Sequence, residues 1–422
     1  MPKSSFRKKS QSTARRLTMG LALAGSLAAP AAFVHADDSA KIDKLEQENQ
    51  DLKKRLEALE AVAKAEGILP DAKSSHVLTK VAGTTISGFV SASYFYDLSN
   101  PPGAGSPGYL WGYKEKNSFS INKFKLTIAS PAVERSGDKW DVGYRASLIF
   151  GNDAGVLNSN NPLGNSSLSS LREAFVEANA PIGTGLNIKV GELISLLNYE
   201  SGDGGAANDN FSQGYQWFYT GNGPAAGAQI GYTFTDWLDL KVRVQNGLYA
   251  GPIDHNTGKT VMGAIGIKPS STTWISLIGF TGREEAVSKI VEGGSMLGGW
   301  QVTDQLHLGT ELDYFIFDQG VTDHTVWSAG AFLSYALTDK LAPAVRAEFL
   351  SDADGADASG DPLGFAPNSG QDIASVAFTL NYKPAPNIKI QPEIRFDHTS
   401  LPAGFGSKTD RVIIGAGVSY LF

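Results

Sequence analysis

The 422-residue chain has no cysteine. That absence excludes disulfides, thiolate metal sites, a cysteine nucleophile and a lipid-modified cysteine anchor. Excess positive charge is missing too, with 36 Lys plus Arg against 43 Asp plus Glu, so no nucleic-acid partner is expected, because one would ask for a basic face. No charge-free apolar run of about 20 residues occurs beyond the N-terminal segment, which argues against a transmembrane helix. Histidine is scarce. His35, His76, His255, His307, His324 and His398 show neither i, i+4 pairing nor an H-E-x-x-H pattern, so no metal centre or other cofactor is expected. No G-x-S-x-G elbow is present, no catalytic residue is assigned, and the chain is read as a non-enzyme.

What is present begins with Lys3, Arg7, Lys8, Lys9, Arg15 and Arg16, followed by an apolar segment from Leu17 to Val34 and the tripeptide Val34-His35-Ala36. This is the pattern of a signal peptide over residues 1–36, cleaved before Asp37. Arg15-Arg16 sits in a context that matches twin-arginine export poorly, so the general secretory route is expected. Removing the leader's six basic residues takes the net charge from −7 to −13.

Residues 37–66 change period to seven. Ile42, Asn49, Leu56 and Ala63 take a positions, and Leu45, Leu52 and Leu59 take d positions. In a parallel pairing Lys41–Glu46, Glu48–Lys53 and Arg55–Glu60 are opposite in sign, as a parallel coiled coil requires. The expected core is Ile42, Leu45, Asn49, Leu52, Leu56 and Leu59, with Asn49 fixing register at a cost in stability. About three heptads are short, so another contact should also hold the chains together. A lone solvated helix is the alternative. Residues 67–83, with Pro70 and Gly83, read as a linker.

From residue 84 to 422 the sequence alternates with period two. On Trp140–Phe150, Leu238–Gln245 and Ile388–Asp397, apolar residues occupy one face and charged residues the other. Three turns share a Thr-Asp pair, in Tyr232–Leu240, Trp300–Leu308 and Tyr335–Pro343; short polar side chains there cap tight hairpins. Four more turns, at Pro131–Asp138, Pro181–Gly185, Pro269–Thr272 and Pro384–Asn387, use Pro, Gly or Ser. Seven short turns separated by longer loops imply about sixteen antiparallel strands.

Alternation alone would also suit a soluble sandwich, but the aromatics discriminate. Trp140, Tyr232, Trp237, Trp274, Trp300, Tyr335, Tyr382, Tyr420 and Phe422 lie beside the short turns. Tyr94, Phe150, Phe280, Tyr314, Trp327, Phe349 and Phe396 lie at the opposite strand ends. Two such belts suit the two interfaces of a bilayer. The last segment, Arg411–Phe422, places Val412, Ile414, Ala416, Val418, Tyr420 and Phe422 on one face and mostly small residues on the other. Pairing it with the first strand would remove an aggregation-prone edge. The expected fold is therefore an all-β transmembrane barrel of about 16 antiparallel strands, preceded by a short helical coiled coil.

Several stretches carry a resemblance to a known family: Ser87–Tyr94, Asn122–Leu126, Ile149–Ala154, Val190-Gly-Glu192, Asn198-Tyr-Glu200, Asn210-Phe-Ser212 and Gln245-Asn-Gly247. The chain resembles bacterial outer-membrane porins, closest to the beta-barrel porin-2 (OmpL-like) family, here with an N-terminal periplasmic coil. The resemblance implies residence in the bacterial outer membrane among its lipids, passive diffusion of small polar solutes, and trimeric assembly. It also implies that Tyr420 and Phe422 are the signal read by the barrel-assembly machinery.

Lysine, arginine and carboxylate residues on the inward register are the pore-lining candidates: Lys123, Lys125, Arg145, Glu173, Glu177, Lys189, Lys241, Arg243, Glu311, Asp313, Arg346, Glu348, Glu393 and Arg395. Mixed signs predict a transverse field, and the acidic excess predicts a weak cation preference. The longest connection, near Ser195–Gly227, is the third long loop. It is expected to narrow the channel through Glu200, Asp203, Asp209, Tyr215 and Trp217, the alternative being an outer surface loop. Asp352, Asp354, Asp357 and Asp361 form half an EF-hand ligand set without the closing Glu, and read as a solvated acidic loop. The competing function is a structural anchor that ties the envelope to the cell wall through the coil.

Overall fold

The structure is a computed structural model that describes residues 44, 47, 50, 51, 53–55, 83–99, 117–157, 170–248, 256–284, 289–318, 323–352, 370–401, 405 and 408–422. The described residues among 44–55 are helical and exposed, and Arg55 and Asp51 form an i, i+4 ion pair at 3.0 Å. The expected signal peptide, coil core, most of the linker, and Asp354, Asp357 and Asp361 lie outside the described residues.

The compact unit beginning at Gly83 is built from strands β1 (Thr85–Asp97), β2 (Ser118–Ala129), β3 (Asp141–Phe150), β4 (Leu171–Ala180), β5 (Leu186–Leu193), β6 (Ala225–Thr235), β7 (Leu238–Gln245) and β8 (Thr260–Ser270). It continues through β9 (Thr273–Glu284), β10 (Lys289–Gln301), β11 (Leu306–Asp318), β12 (Asp323–Tyr335), β13 (Leu341–Asp352), β14 (Gln371–Ala385), β15 (Ile388–Thr399) and β16 (Asp410–Leu421). Each strand pairs with its sequence neighbours, and β1 pairs with β16 to close a barrel of sixteen strands. At a spacing of about 4.8 Å and a tilt of about 40°, sixteen strands give a backbone radius of about 16 Å.

The seven short turns fall where the proline and Thr-Asp signals put them. Thr303 Oγ1 accepts the Gln305 and Leu306 amides at 3.2 and 3.0 Å, and Thr338 Oγ1 accepts the Lys340 amide at 3.2 Å. Closure is completed past the last strand residue: the Gly88 amide donates to the Phe422 carbonyl at 2.9 Å, and the Phe422 amide donates to Gly88 at 3.0 Å.

Facing follows the period-two reading. Trp140, Val142, Tyr144, Leu148 and Phe150 are exposed on the outside, as are Ile414, Val418, Tyr420 and Phe422. In a lipid environment these faces are solvated by acyl chains rather than water. Two expected belt members differ. Phe280 is buried in the barrel interior and Trp274 stacks on an interior tyrosine. Strand β9 exposes Leu277 outward, so the even-numbered residues of that strand face inward. The sequence could not separate the two faces here because both are apolar.

Candidate channel and the loop that crosses it

The connection from β5 to β6, residues 194–224, folds into the barrel. It turns at Asn198, which has φ +79°, a left-handed conformation that Asn tolerates better than most residues. The Tyr199 amide then donates to Glu311 Oε2 on β11 at 2.8 Å. A 3-10 turn follows at Gly204–Ala206, then a short helix, α1, at Tyr215–Tyr219. This five-residue helix is too short to be stable alone, and its position is set by wall residues.

Carboxylates on the far wall hold the loop by its backbone amides. Glu393 of β15 accepts from the Phe211 amide at 2.7 Å, from the Ser212 amide at 3.3 Å and from the Ser212 hydroxyl at 2.6 Å. Glu348 of β13 accepts the Gln216 amide at 3.1 Å. Asp313 of β11 accepts the Gln216 side-chain amide and the Thr220 hydroxyl, both at 2.8 Å. Bonds to an ionised acceptor contribute more than neutral ones, about 1.5–3 kcal/mol each.

Three fully buried guanidiniums complete the latch. Arg346 pairs with Glu200 of the loop at 2.8 Å. Arg395 donates to the Gln213 carbonyl at 2.8 Å and pairs with Asp397 at 2.6 Å. Arg411 pairs with the other oxygen of Asp397 at 2.9 Å and donates to the Tyr215 hydroxyl at 2.8 Å. Burial raises the Glu200 carboxyl above the ordinary 4.5, against the lowering charge of Arg346. Removing one member of such a set leaves an uncompensated buried charge, at a cost of about 3–5 kcal/mol.

Steric fit agrees with the polar contacts. Phe211 lies so close to Gly417 that a Cβ there would come within 2.0 Å of the ring. Phe95 similarly covers Gly415, and the two rings stack at 5.4 Å. The small inward face of β16 is therefore the seat of the loop's phenylalanine.

All five expected loop residues can be placed. Glu200 is buried on Arg346, and Asp203 pairs with Lys125 of β2 at 2.8 Å. Asp209 is exposed while its carbonyl accepts from Asn381 at 2.8 Å. Tyr215 is buried, and Trp217 packs on the Ile149–Leu157 cluster.

The fourteen inward candidates fall into two groups. Glu311, Asp313, Arg346, Glu348, Glu393 and Arg395 lie beneath the loop and are nearly inaccessible, and Arg243 is buried on Gln229 and the Ile194 carbonyl. Lys123 is also buried, paired with Asp153 at 3.1 Å, and Lys125 with Asp203 as above. The remaining five line a wall formed by β3, β4, β5 and β7. There Arg145 pairs with Glu173 at 2.7 Å, Lys189 with Glu177 at 3.5 Å, and Lys241 with Asp239 at 3.5 Å. The Arg145, Lys241 and Lys189 side chains keep 42%, 35% and 25% of their surface accessible, so this wall keeps charged groups in contact with solvent.

Sequence reasoning missed two features. Arg411 joins the latch, and its inward register was the only available signal. The interior over β8 to β12 also carries an apolar cluster, in which Met262, Ile278, Phe280, Leu297, Phe315 and Val326 pack with Tyr215 and Tyr219. The loop's aromatics Tyr215 and Tyr219 cover it.

A family model described as "Putative beta-barrel porin-2, OmpL-like" matches residues 83–422. No curated protein matches the chain by sequence. Among solved structures the fold is similar to an anion-selective porin from Comamonas acidovorans, with TM-score 0.52, 10% identity, and 80% of this chain and 99% of that chain covered. It is similar to the outer-membrane channel DcaP of Acinetobacter baumannii, with TM-score 0.51, 14% identity and coverage of 80% and 97%. It is also similar to a trimer form of OmpT from Vibrio cholerae, with TM-score 0.50, 12% identity and coverage of 80% and 99%. With its matched region spanning the whole barrel, the chain belongs to the OmpL-like beta-barrel porin-2 family.

Proposed function

We propose that the protein is an outer-membrane porin: a water-filled channel for passive diffusion of small polar solutes and ions, constricted by residues 194–224. The observation that carries this reading is the solvent-accessible, ion-paired wall of β3 to β7 opposite a loop latched to the other wall. Passage then runs between the two, with the short turns periplasmic and the long loops outside. Paired charges of both signs produce a transverse field and little net selectivity. The chain's acidic excess tips it to a weak cation preference. Similarity to an anion-selective porin concerns the fold and does not set this sign.

The heptads of residues 37–66 fit a parallel periplasmic coil that joins copies of the chain, with a trimer as the assembly, and Tyr420 and Phe422 fit the assembly signal. Liposome swelling with neutral sugars of graded size, together with the reversal potential in a salt gradient, tests the channel. Swelling that falls off with solute size and a small cation-signed potential are expected. Folded protein that admits no solute contradicts the channel, and an anion-signed potential contradicts the charge reading.

A further inference from the structure

At the short-turn end of the barrel, three rings of the interior wall, Trp274, His307 and Phe332, gather around Tyr199 at the start of the loop. Strand pairing aligns Trp274 with Gly299, Gly299 with Gly309, and Gly309 with Phe332 across β9 to β12. The two central glycines leave bare backbone. A Cβ on Gly299 would come within 2.3 Å of the Trp274 indole, and one on Gly309 within 2.2 Å of the Tyr199 ring. The rings can therefore lie against the wall. Tyr199 stacks on Phe332 at 4.3 Å and on Trp274 at 6.1 Å with an interplanar angle of 8°. Its hydroxyl is 3.4 Å from His307 Nδ1.

These four rings line a cavity of about 320 Å³ bordered on its other side by the loop, with Glu200 and Asp209 in the lining and no Lys or Arg among the described lining residues. Two bases stand close to the loop residues of the lining, and Lys389 interacts electrostatically with Asp209. Arg346 is bound by Glu200, and Lys389 donates to the Asn208 carbonyl. Asp209 is exposed, and together with Glu200 it helps burial raise the Tyr199 phenol above its ordinary range. Asp209 thus shares the cavity lining with the aromatic row.

Faces of electron-rich rings attract cations, most strongly where water is partly excluded, and a carboxylate across the cavity adds to this attraction. We propose that this cavity is a binding subsite for small organic cations, of the quaternary ammonium or alkylammonium class, on the path between the constriction and the short-turn mouth. An anion would meet Asp209, and no Lys or Arg is among the described lining residues. A neutral sugar could stack on the rings but would gain nothing from the carboxylate's charge. The proposal rests on the channel reading above, because the subsite must be reached through the lumen.

The test uses the full-length protein in a planar bilayer, with tetraethylammonium chloride added at the short-turn side, and calorimetric titration of the same ion into the detergent-refolded protein. Saturable current block and measurable binding are expected. Asp209→Asn, in an exposed loop position, should weaken both about fivefold, the scale of one lost charge contact beside a cation–π site. Gly309→Ala, which displaces Tyr199, should weaken both as well; should that variant not fold, Asp209→Asn carries the test. Conductance without block, and no heat of binding, overturns the subsite while leaving the channel intact. Equal binding of methyl glucoside that ignores Asp209→Asn overturns the cation assignment. Binding that depends on Asp209 in a protein that passes no current supports the subsite and refutes the channel instead.

Discussion

Glu393→Gln is the sharpest perturbation of the loop latch. The Glu393 carboxylate is nearly inaccessible and accepts from two loop amides, the Ser212 hydroxyl, and Thr379 Oγ1 at 2.6 Å. A glutamine keeps one acceptor oxygen and turns an NH₂ toward the donors, so one buried loop amide loses its partner. An orphaned buried donor costs about 1–3 kcal/mol, and loss of the ionised acceptor weakens the remaining bonds. A sum of about 3 kcal/mol lowers the ratio of seated to released loop by about two orders of magnitude. Glu348, Glu311 and Arg346 still hold the helix and the start of the loop, so the segment that lifts is the one around Phe211. Single-channel recording should show larger, noisier open levels, and limited proteolysis should cut within residues 202–212. Open levels, noise and cleavage identical to the parent in a folded barrel would refute the reasoning.

Three further outcomes follow from the same contacts. Gly417→Val drives a side chain into Phe211, and overpacking of about 1–3 kcal/mol should unseat the loop and raise conductance with little change in strand content by circular dichroism. The Glu200 carboxyl is raised chiefly by burial. The folded loop therefore holds that proton more tightly than the unfolded chain, and this group favours the folded state more as pH falls through the raised value toward 4.5 and less as pH rises. The slope of thermal stability against pH in that window should diminish in Glu200→Gln. Deleting Phe422 removes the two bonds to Gly88 and should lower the yield of heat-resistant barrel in the outer membrane, read on unheated gels.

The barrel was legible because strand period, turn chemistry and closure each leave a local trace. Trp140–Phe150 shows its lipid face residue by residue, and the Thr-Asp pairs mark turns whose hydroxyls cap the next amides. Where both faces are apolar, as on β9, the period carries no facing signal, and the inward positions of Trp274 and Phe280 cannot be read from it. The loop was legible as the longest connection rich in Gly and Asn, but its seat was not. Glu393, Arg395 and Arg411 become a latch only because closure brings β13, β15 and β16 opposite residues 200–216, a relation between positions up to 196 residues apart. Gly415 and Gly417 read as mere small residues until Phe95 and Phe211 fill the space above them.

Single-channel conductance of the refolded protein, compared with a variant lacking residues 202–219, tests the central claim most directly. An open lumen narrowed by that loop predicts discrete steps for the parent and steps about twofold larger for the deletion, as expected for freeing a sizeable share of a sixteen-stranded lumen. Silence from both proteins, each folded and inserted, would contradict the channel. Equal steps would show that the loop does not set the constriction.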